Sequence, residues 1–136
     1  MTVHCDVTLT VPFHDLDPLH VVWHGHYYKY FDVARFALFR KCGIDLYRYS
    51  QEKAILFPVT RSSAKHIIPL RHEDEFVCRA TVTEARYKIG LAFEIRKKDD
   101  NRLHARGSSD QVAVTLPDMK LEFEIPKEIQ QALGQQ

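Results

Sequence analysis

The sequence lacks the features that mark several classes of protein. Its three cysteines are an odd number and form no CxxC pair, which argues against a zinc knuckle or a disulfide framework. Its 19 basic and 18 acidic residues leave a net charge of +1, so the charge does not indicate a nucleic-acid or acidic-membrane binder. No apolar run approaches the roughly 20 residues of a membrane-spanning helix. We therefore expect no nucleic-acid partner and no membrane span.

The chain also lacks internal repeats, low-complexity tracts and linkers. Its 136 residues, of which 45% are hydrophobic, suit one domain over 1–136 with one core. The opening stretch, MTVHCDVTLTV, alternates in polarity and does not resemble a signal peptide. Together with the unpaired cysteines, this favours a cytoplasmic protein.

The apolar pattern predicts a strand, a long helix and then about five strands. Residues 3–11 alternate as a half-buried strand does, and Pro12 ends it. From His26 to Cys42 apolar side chains recur at helical spacing, and they cover so much of the helix that we expect it to be enclosed. This order predicts an α+β fold, with one antiparallel sheet wrapped around one long central helix. The later elements are predicted as one long or two short strands at 55–68, strands at 75–87, 91–98, 104–116 and 120–125, and a short helix at 127–133.

The loop before the long helix carries the candidate active site, in the stretch DLDPLHVVWHGHYY. No Ser, Thr, Asp or Asn stands at the helix start, where such residues usually cap the backbone. The N–H groups near His24 and Gly25 carry partial positive charge and suit a developing oxyanion, and a glycine permits close approach. Asp17 can then act as nucleophile or as general base for water. The combination is typical of acyl transfer.

Simpler interpretations of the same loop stay open. An aspartate before proline, as at Asp17, is a common turn former. Asp15 is more readily structural than catalytic. The loop also holds three histidines, His20, His24 and His26. A metal site would need them to share a helical turn, which a proline and a glycine in the loop oppose. We expect no metal and no organic cofactor.

The stretch DLDPLHVVWHGHYYKYFDVAR resembles the signature of the hotdog-fold 4-hydroxybenzoyl-CoA thioesterase family. That signature is Asp-x-Asp-x-x-x-Val-x-x-His/Tyr-x-x-Tyr, often followed by Glu/Asp-x-Ala-Arg. The resemblance continues in KCGID after the helix and in EARYKIGLAFEI further on. It implies a hotdog fold and an acyl-CoA thioesterase that works without a cofactor.

The resemblance also implies roles for particular residues. Asp17 matches the catalytic carboxylate, and the backbone N–H of His24 would polarise the thioester carbonyl while its imidazole assists. Arg86 and Lys88 match basic positions that meet the phosphates of coenzyme A, often from a neighbouring subunit. Asp32 and Arg35 match two family positions on the helix whose role is supportive rather than catalytic.

Several alternatives remain at this stage. Leu19 and His20 replace small residues of the family, so the acyl pocket is expected to differ. The family pairs its sheets, and we expect a homodimer or homotetramer with sites at the interface. The basic stretch at 60–72 suits an acyl-ACP thioesterase, and a non-catalytic acyl-CoA-binding hotdog module is a further alternative. Whether Asp17 is nucleophile or base stays open.

Overall fold

The computed structural model describes residues 3–134, whose main feature is one sheet of five antiparallel strands. The spatial order of these strands is β1-β4-β5-β6-β3, so β1 and β3 form the two edges. Their bounds are β1 His4–Thr10, β3 Val59–His66, β4 Glu75–Glu84, β5 Ile89–Lys97 and β6 Leu103–Gln111. A second, small sheet joins β2 Ile55–Leu56, β7 Val114–Thr115 and β8 Lys120–Leu121.

One long helix, α1 (His26–Lys41), lies across the inner face of the main sheet. The apolar positions predicted from its periodicity are all buried, which confirms that interpretation: Tyr27, Tyr30, Phe31, Ala34 and Leu38. The ring of Phe31 stacks on Phe93 of β5, with 4.6 Å between ring centroids. Gly107 of β6 makes this possible, because a Cβ there would lie 2.5 Å from the Phe31 ring.

The opposite face of α1 is open, contrary to the prediction of an enclosed helix. Tyr28 and Val33 are each 41% exposed and Phe36 is 55% exposed. The prediction was wrong for a single chain because one sheet can cover only one side of a helix.

The end of α1 follows its sequence signals, but the next element was not predicted. Gly43 has a φ of +77° just past the helix, as glycine allows. A second helix then begins, α2 (Leu46–Lys53), and the Asp45 carboxylate accepts a capping hydrogen bond of 3.1 Å from the N–H of Arg48. No residue of α2 is fully buried and only Leu46 and Tyr49 pack against the core, so its apolar pattern is too short for periodicity to detect.

The remaining strands differ from the predicted ones mainly in length. The stretch 55–68 forms two strands, β2 and β3, which is one of the two predicted arrangements, whereas 104–116 divides into β6 and β7. Of the strand predicted at 120–125 only β8 forms, and Phe123 beyond it is 82% exposed. The final helix, α3, spans Lys127–Ala132 as expected. Within residues 3–134 no helix combines the length and the apolar character needed to cross a membrane.

Candidate active site

Asp17 lies in a tight turn of the loop between β1 and α1. Its Oδ1 accepts a hydrogen bond of 2.8 Å from the N–H of Leu19, and its carbonyl accepts one of 2.9 Å from the N–H of His20. The turn-forming interpretation of Asp17 is therefore correct as far as it goes. Among the described residues Oδ2 of Asp17 has no hydrogen-bond partner, so one carboxylate oxygen is unpaired.

Asp17 borders a cavity of about 230 Å³. A liquid water takes up about 30 Å³, so this space can hold a thioester group and a water together. Most of its wall is apolar, and three aromatic or imidazole rings complete it. The lining residues are Asp17, Val21, Val22, His24, Tyr27, His66, Ile67 and Pro69.

The start of α1 faces the same cavity and has no side-chain cap. The first two helical amides are bonded to the preceding turn, because the N–H of His26 donates to Trp23 O at 2.9 Å and that of Tyr27 to His24 O at 3.4 Å. Across residues 3–134, no carbonyl or side chain accepts a hydrogen bond from the N–H of His24 or of Gly25. These two amides are the free donors at the helix start.

Gly25 also has a packing role that was not inferred from the sequence. A Cβ on Gly25 would lie 2.3 Å from the indole of Trp23. The missing side chain therefore makes room for Trp23, whose ring also packs against His24 and His26 at 5.3 Å between centroids. Gly25 shapes the turn through this packing, and its amide remains available.

Asp15 is a buried anchor beneath the loop. It is 1% exposed, and its carboxylate accepts hydrogen bonds from Lys29 at 2.7 Å and from Tyr30 at 2.6 Å. Burial acts to raise the pKa of Asp15, but these two hydrogen bonds outweigh it and hold the pKa below its ordinary value. Burial, and then the same contact, raise the pKa of Tyr30. The structural interpretation of Asp15 is thus supported.

The three loop histidines serve separate surroundings. His26 lies 3.8 Å from the Asp15 carboxylate, while His24 faces the cavity. His20 is exposed, with a φ of +65°. In the part of the chain that the structure describes, no three histidine, cysteine or acidic side chains come together as a metal site.

The structure brings one further residue to the cavity that the sequence did not single out. His66, the last residue of β3, packs its ring on Tyr27 at 4.7 Å and lies 6.1 Å from the ring of His24. Burial and the neighbouring His24 hold the pKa of His66 below its ordinary value. The only sequence signal was its place in the basic stretch at 60–72.

Arg86 and Lys88 lie far from this cavity within one chain. Residue 89 pairs with 111 in the sheet, and 111 pairs with 59 at the start of β3, whereas His66 ends that strand. At about 3.3 Å per residue, the two ends of β3 are more than about 20 Å apart. Arg86 instead pairs with Glu124 at 3.2 Å. Lys88 pairs with Asp110 at 3.1 Å.

Asp32 and Arg35 form a structural pair on α1, away from Asp17. The Arg35 guanidinium is hydrogen bonded to Asp32 and, at 2.6 Å, to the hydroxyl of Ser109 on β6. Arg35 is 7% exposed, and burial lowers its pKa although Asp32 opposes this. The pair therefore clamps α1 to the sheet, in keeping with a supportive role.

The sequence profile of the thioesterase-like superfamily matches residues 11–133, and the chain belongs to that superfamily. No curated protein matches the sequence significantly. Solved structures resemble the fold closely. The 1,4-dihydroxy-2-naphthoyl-CoA thioesterase Slr0204 from Synechocystis is 20% identical with a TM-score of 0.88, over 96% of this chain and 95% of that one.

Two other thioesterase structures are similar to the same extent. The 4-hydroxybenzoyl-CoA thioesterase from Pseudomonas sp. strain CBS-3 is 20% identical with a TM-score of 0.84, over 95% of this chain and 98% of that one. The gentisyl-coenzyme A thioesterase BH1999 is 22% identical with a TM-score of 0.82, over 96% and 100%. The α+β hotdog fold predicted from the sequence is confirmed.

Proposed function

We propose that the protein is a thioesterase that hydrolyses an acyl-CoA thioester to the free acid and coenzyme A. One observation carries the proposal: Asp17, with a free carboxylate oxygen, borders the same apolar cavity as the helix start near His24. Membership of the thioesterase-like superfamily supports it. The fold shared with three solved acyl-CoA thioesterases supports it further.

The free amides of His24 and Gly25 would bind the thioester oxygen as it becomes an oxyanion. Donors fixed in place by a helix start need no rearrangement when that charge develops. Loss of one such donor typically lowers the rate by about 10²–10³. In this proposal the anchoring of the turn on Asp15 and Trp23 is what keeps the two amides in position.

Asp17 would act on the carbonyl carbon that those amides polarise. The hydrogen bond from Leu19 fixes one oxygen and so aims the other. A carboxylate held in this way can attack directly or take a proton from water, and both routes cleave the carbon–sulfur bond without a metal or an organic cofactor.

Binding of the coenzyme A phosphates is proposed to need a second copy of the chain. Arg86 and Lys88 are too far from Asp17 to serve the same substrate within one chain. The open face of α1 and the exposed edge strand β3 are surfaces that a second copy could cover. We therefore propose a homodimer or homotetramer in which these residues reach the neighbouring site.

A second candidate carrier is an acyl carrier protein. The basic stretch at 60–72 borders the cavity and carries three exposed cations, Arg61, Lys65 and Arg71. Within residues 3–134 none of these three side chains forms an ion pair. Free basic side chains beside the mouth would attract an acidic carrier. Faster hydrolysis of an acyl-ACP than of the matching acyl-CoA would favour this carrier.

Two wider features belong to the same proposal. The whole of 1–136 would act as one domain, since the buried apolar residues form one cluster. A cytoplasmic location is supported by the three free cysteines, Cys5, Cys42 and Cys78.

The test is hydrolysis of short, long and aromatic acyl-CoA thioesters, followed through thiol release. Wild type is compared with Asp17→Asn and with Asp45→Asn, an exposed cap residue that serves as the matched control. We expect turnover by wild type and by the control, and its loss in Asp17→Asn. If Asp17→Asn hydrolyses the best substrate as fast as wild type, the proposed role of Asp17 is wrong. If wild type binds acyl-CoA without releasing thiol, the protein is a binding module.

A further inference from the structure

We propose that His66 is a further catalytic residue, the general base that activates the hydrolytic water while Asp17 acts as the nucleophile. The inference rests on the proposed thioesterase function and extends it, since it assigns the two roles that the sequence left open. It starts from the position of His66 on the cavity wall, at the end of β3 and across from the loop of Asp17.

The ring of His66 is held by a rigid neighbour. Tyr27 is 2% exposed, and its hydroxyl accepts a hydrogen bond of 3.3 Å from the N–H of Leu70. The His66 ring rests edge-on against this fixed ring at 4.7 Å. An exposed residue at the end of an edge strand is therefore oriented towards the cavity by packing, as a general base must be.

The other titratable groups on the cavity wall either stay protonated or have another role in this proposal. Only four lining side chains can titrate, and burial raises the pKa of Tyr27, which keeps its hydroxyl protonated. His24 lines the same cavity, 6.1 Å from His66 between ring centroids, and its amide is assigned here to the oxyanion. Asp17 would be bonded to the acyl group at the moment when water must react.

His66 has the protonation state that a base requires. Burial first, and then the neighbouring His24, lower the pKa of His66. At neutral pH its imidazole is therefore unprotonated and able to accept a proton.

The chemistry balances in two steps. In the first, the free oxygen of Asp17 attacks the thioester carbon, the carbon–sulfur bond breaks and coenzyme A leaves as thiolate, which gives an acyl-aspartyl anhydride. In the second, water attacks the acyl carbon as His66 takes one of its protons, and the bond to the Asp17 oxygen breaks. The imidazolium returns its proton to the thiolate or to solvent, and the free acid departs.

A simpler role for His66 is packing on Tyr27, and three variants separate the two roles. His66→Phe keeps a ring on Tyr27 and loses the base, while His66→Gln keeps a polar side chain and loses the base. His72→Gln changes an exposed histidine that does not line the cavity. Thermal unfolding establishes that each variant is folded before its kinetics are compared.

The measurement is stopped-flow release of thiol from the best acyl-CoA substrate. We expect both His66 variants to show a burst of about one thiol per site, followed by turnover about 10²–10⁴-fold slower than wild type. The burst arises because the anhydride forms and then waits for water. The variant His72→Gln should match wild type.

Other outcomes overturn the inference in recognisable ways. Turnover at the wild-type rate in both His66 variants, or slow turnover without a burst, excludes water activation by His66. Neither result affects the proposed function while Asp17→Asn remains inactive. Failure of wild type to release thiol from any acyl-CoA overturns the proposed function itself, and the inference with it.

Discussion

The Tyr30 hydroxyl donates a hydrogen bond of 2.6 Å to the carboxylate of Asp15, which is almost completely buried. Lys29 donates to the other oxygen of Asp15 at 2.7 Å. The carbonyl of Asp15 accepts a hydrogen bond of 3.0 Å from the N–H of Trp23. One buried carboxylate thus joins the loop that carries Asp17 to the first turns of α1.

Tyr30→Phe should destabilise the protein because it removes one donor from a buried charge. We expect the free energy of unfolding to fall by about 1.5–3 kcal/mol, measured by urea unfolding at neutral pH. The matched control is Tyr28→Phe on the same helix, which is 41% exposed and should change stability by less than about 0.5 kcal/mol. Equal effects of the two variants would show that the hydrogen bond to Asp15 contributes nothing.

The contribution of Asp15 to stability should depend on pH. Its pKa is lower in the folded protein than in the unfolded chain, so its charge stabilises the fold above the ordinary aspartate pKa of about 3.9. That contribution is lost as the pH falls through the lower, folded value. The difference in unfolding free energy between wild type and Asp15→Asn should therefore be largest near neutral pH and shrink below about pH 4. A difference that stays constant from pH 7 to 3 would contradict the lowered pKa.

Gly25→Ala should displace the indole of Trp23, since the new Cβ would lie 2.3 Å from it. Trp23 is the single tryptophan of the chain, so its fluorescence reports on the movement directly. We expect a red shift and, because the free amides move with the turn, a loss of activity of up to about 10²-fold.

The control for this prediction is Gly43→Ala. Gly43 has a positive φ and open space around it, so the change should cost about 1 kcal/mol of stability through backbone strain. The fluorescence of Trp23 should stay unchanged. Identical spectra for wild type and Gly25→Ala would show that the indole does not depend on the glycine.

Replacing Arg86 and Lys88 together by alanine should weaken binding of coenzyme A and leave the chemical step intact. We expect KM for an acyl-CoA to rise about tenfold, which corresponds to about 1.4 kcal/mol, with kcat unchanged. The matched substrate is the N-acetylcysteamine thioester of the same acid, which lacks the nucleotide phosphates and should keep its KM.

The same pair of residues tests whether two copies share a site. Refolding a mixture of Asp17→Asn and the double alanine variant should produce mixed oligomers with one intact site. Activity at low acyl-CoA concentration should then exceed that of either variant alone. No gain on mixing, in oligomers shown to be mixed, would mean that Arg86 and Lys88 do not serve a neighbouring site.

The main architecture could be predicted from the sequence because its signals are local and repeated. The buried face of α1 follows from apolar spacing, and the alternation of Phe76, Cys78 and Ala80 correctly marks the inner face of β4. The short helix α2 escaped prediction because a capping aspartate, rather than an apolar face, defines it. The strand β8 was predicted, but as part of a longer strand at 120–125 of which only two residues pair.

The site was predicted only in part, since its completion depends on distant segments. Asp17 and His24 lie close in sequence and do border one cavity. His66 joins them because the residues after β3 run beside the loop, where 21 pairs with 71. No local pattern encodes that contact. Likewise, nothing in the local sequence indicates that Arg86 and Lys88 lie at the other end of the sheet.

The strand order β1-β4-β5-β6-β3 has a consequence for folding kinetics. The first strand, β1, pairs with β4, which follows both α1 and α2 in the sequence. Pairings between such distant segments form slowly, because a long loop must close first. The loop that carries Asp17 lies inside that closure, so it is ordered only when β1 docks. During refolding, recovery of activity should therefore coincide with the last burial of the core and not precede it.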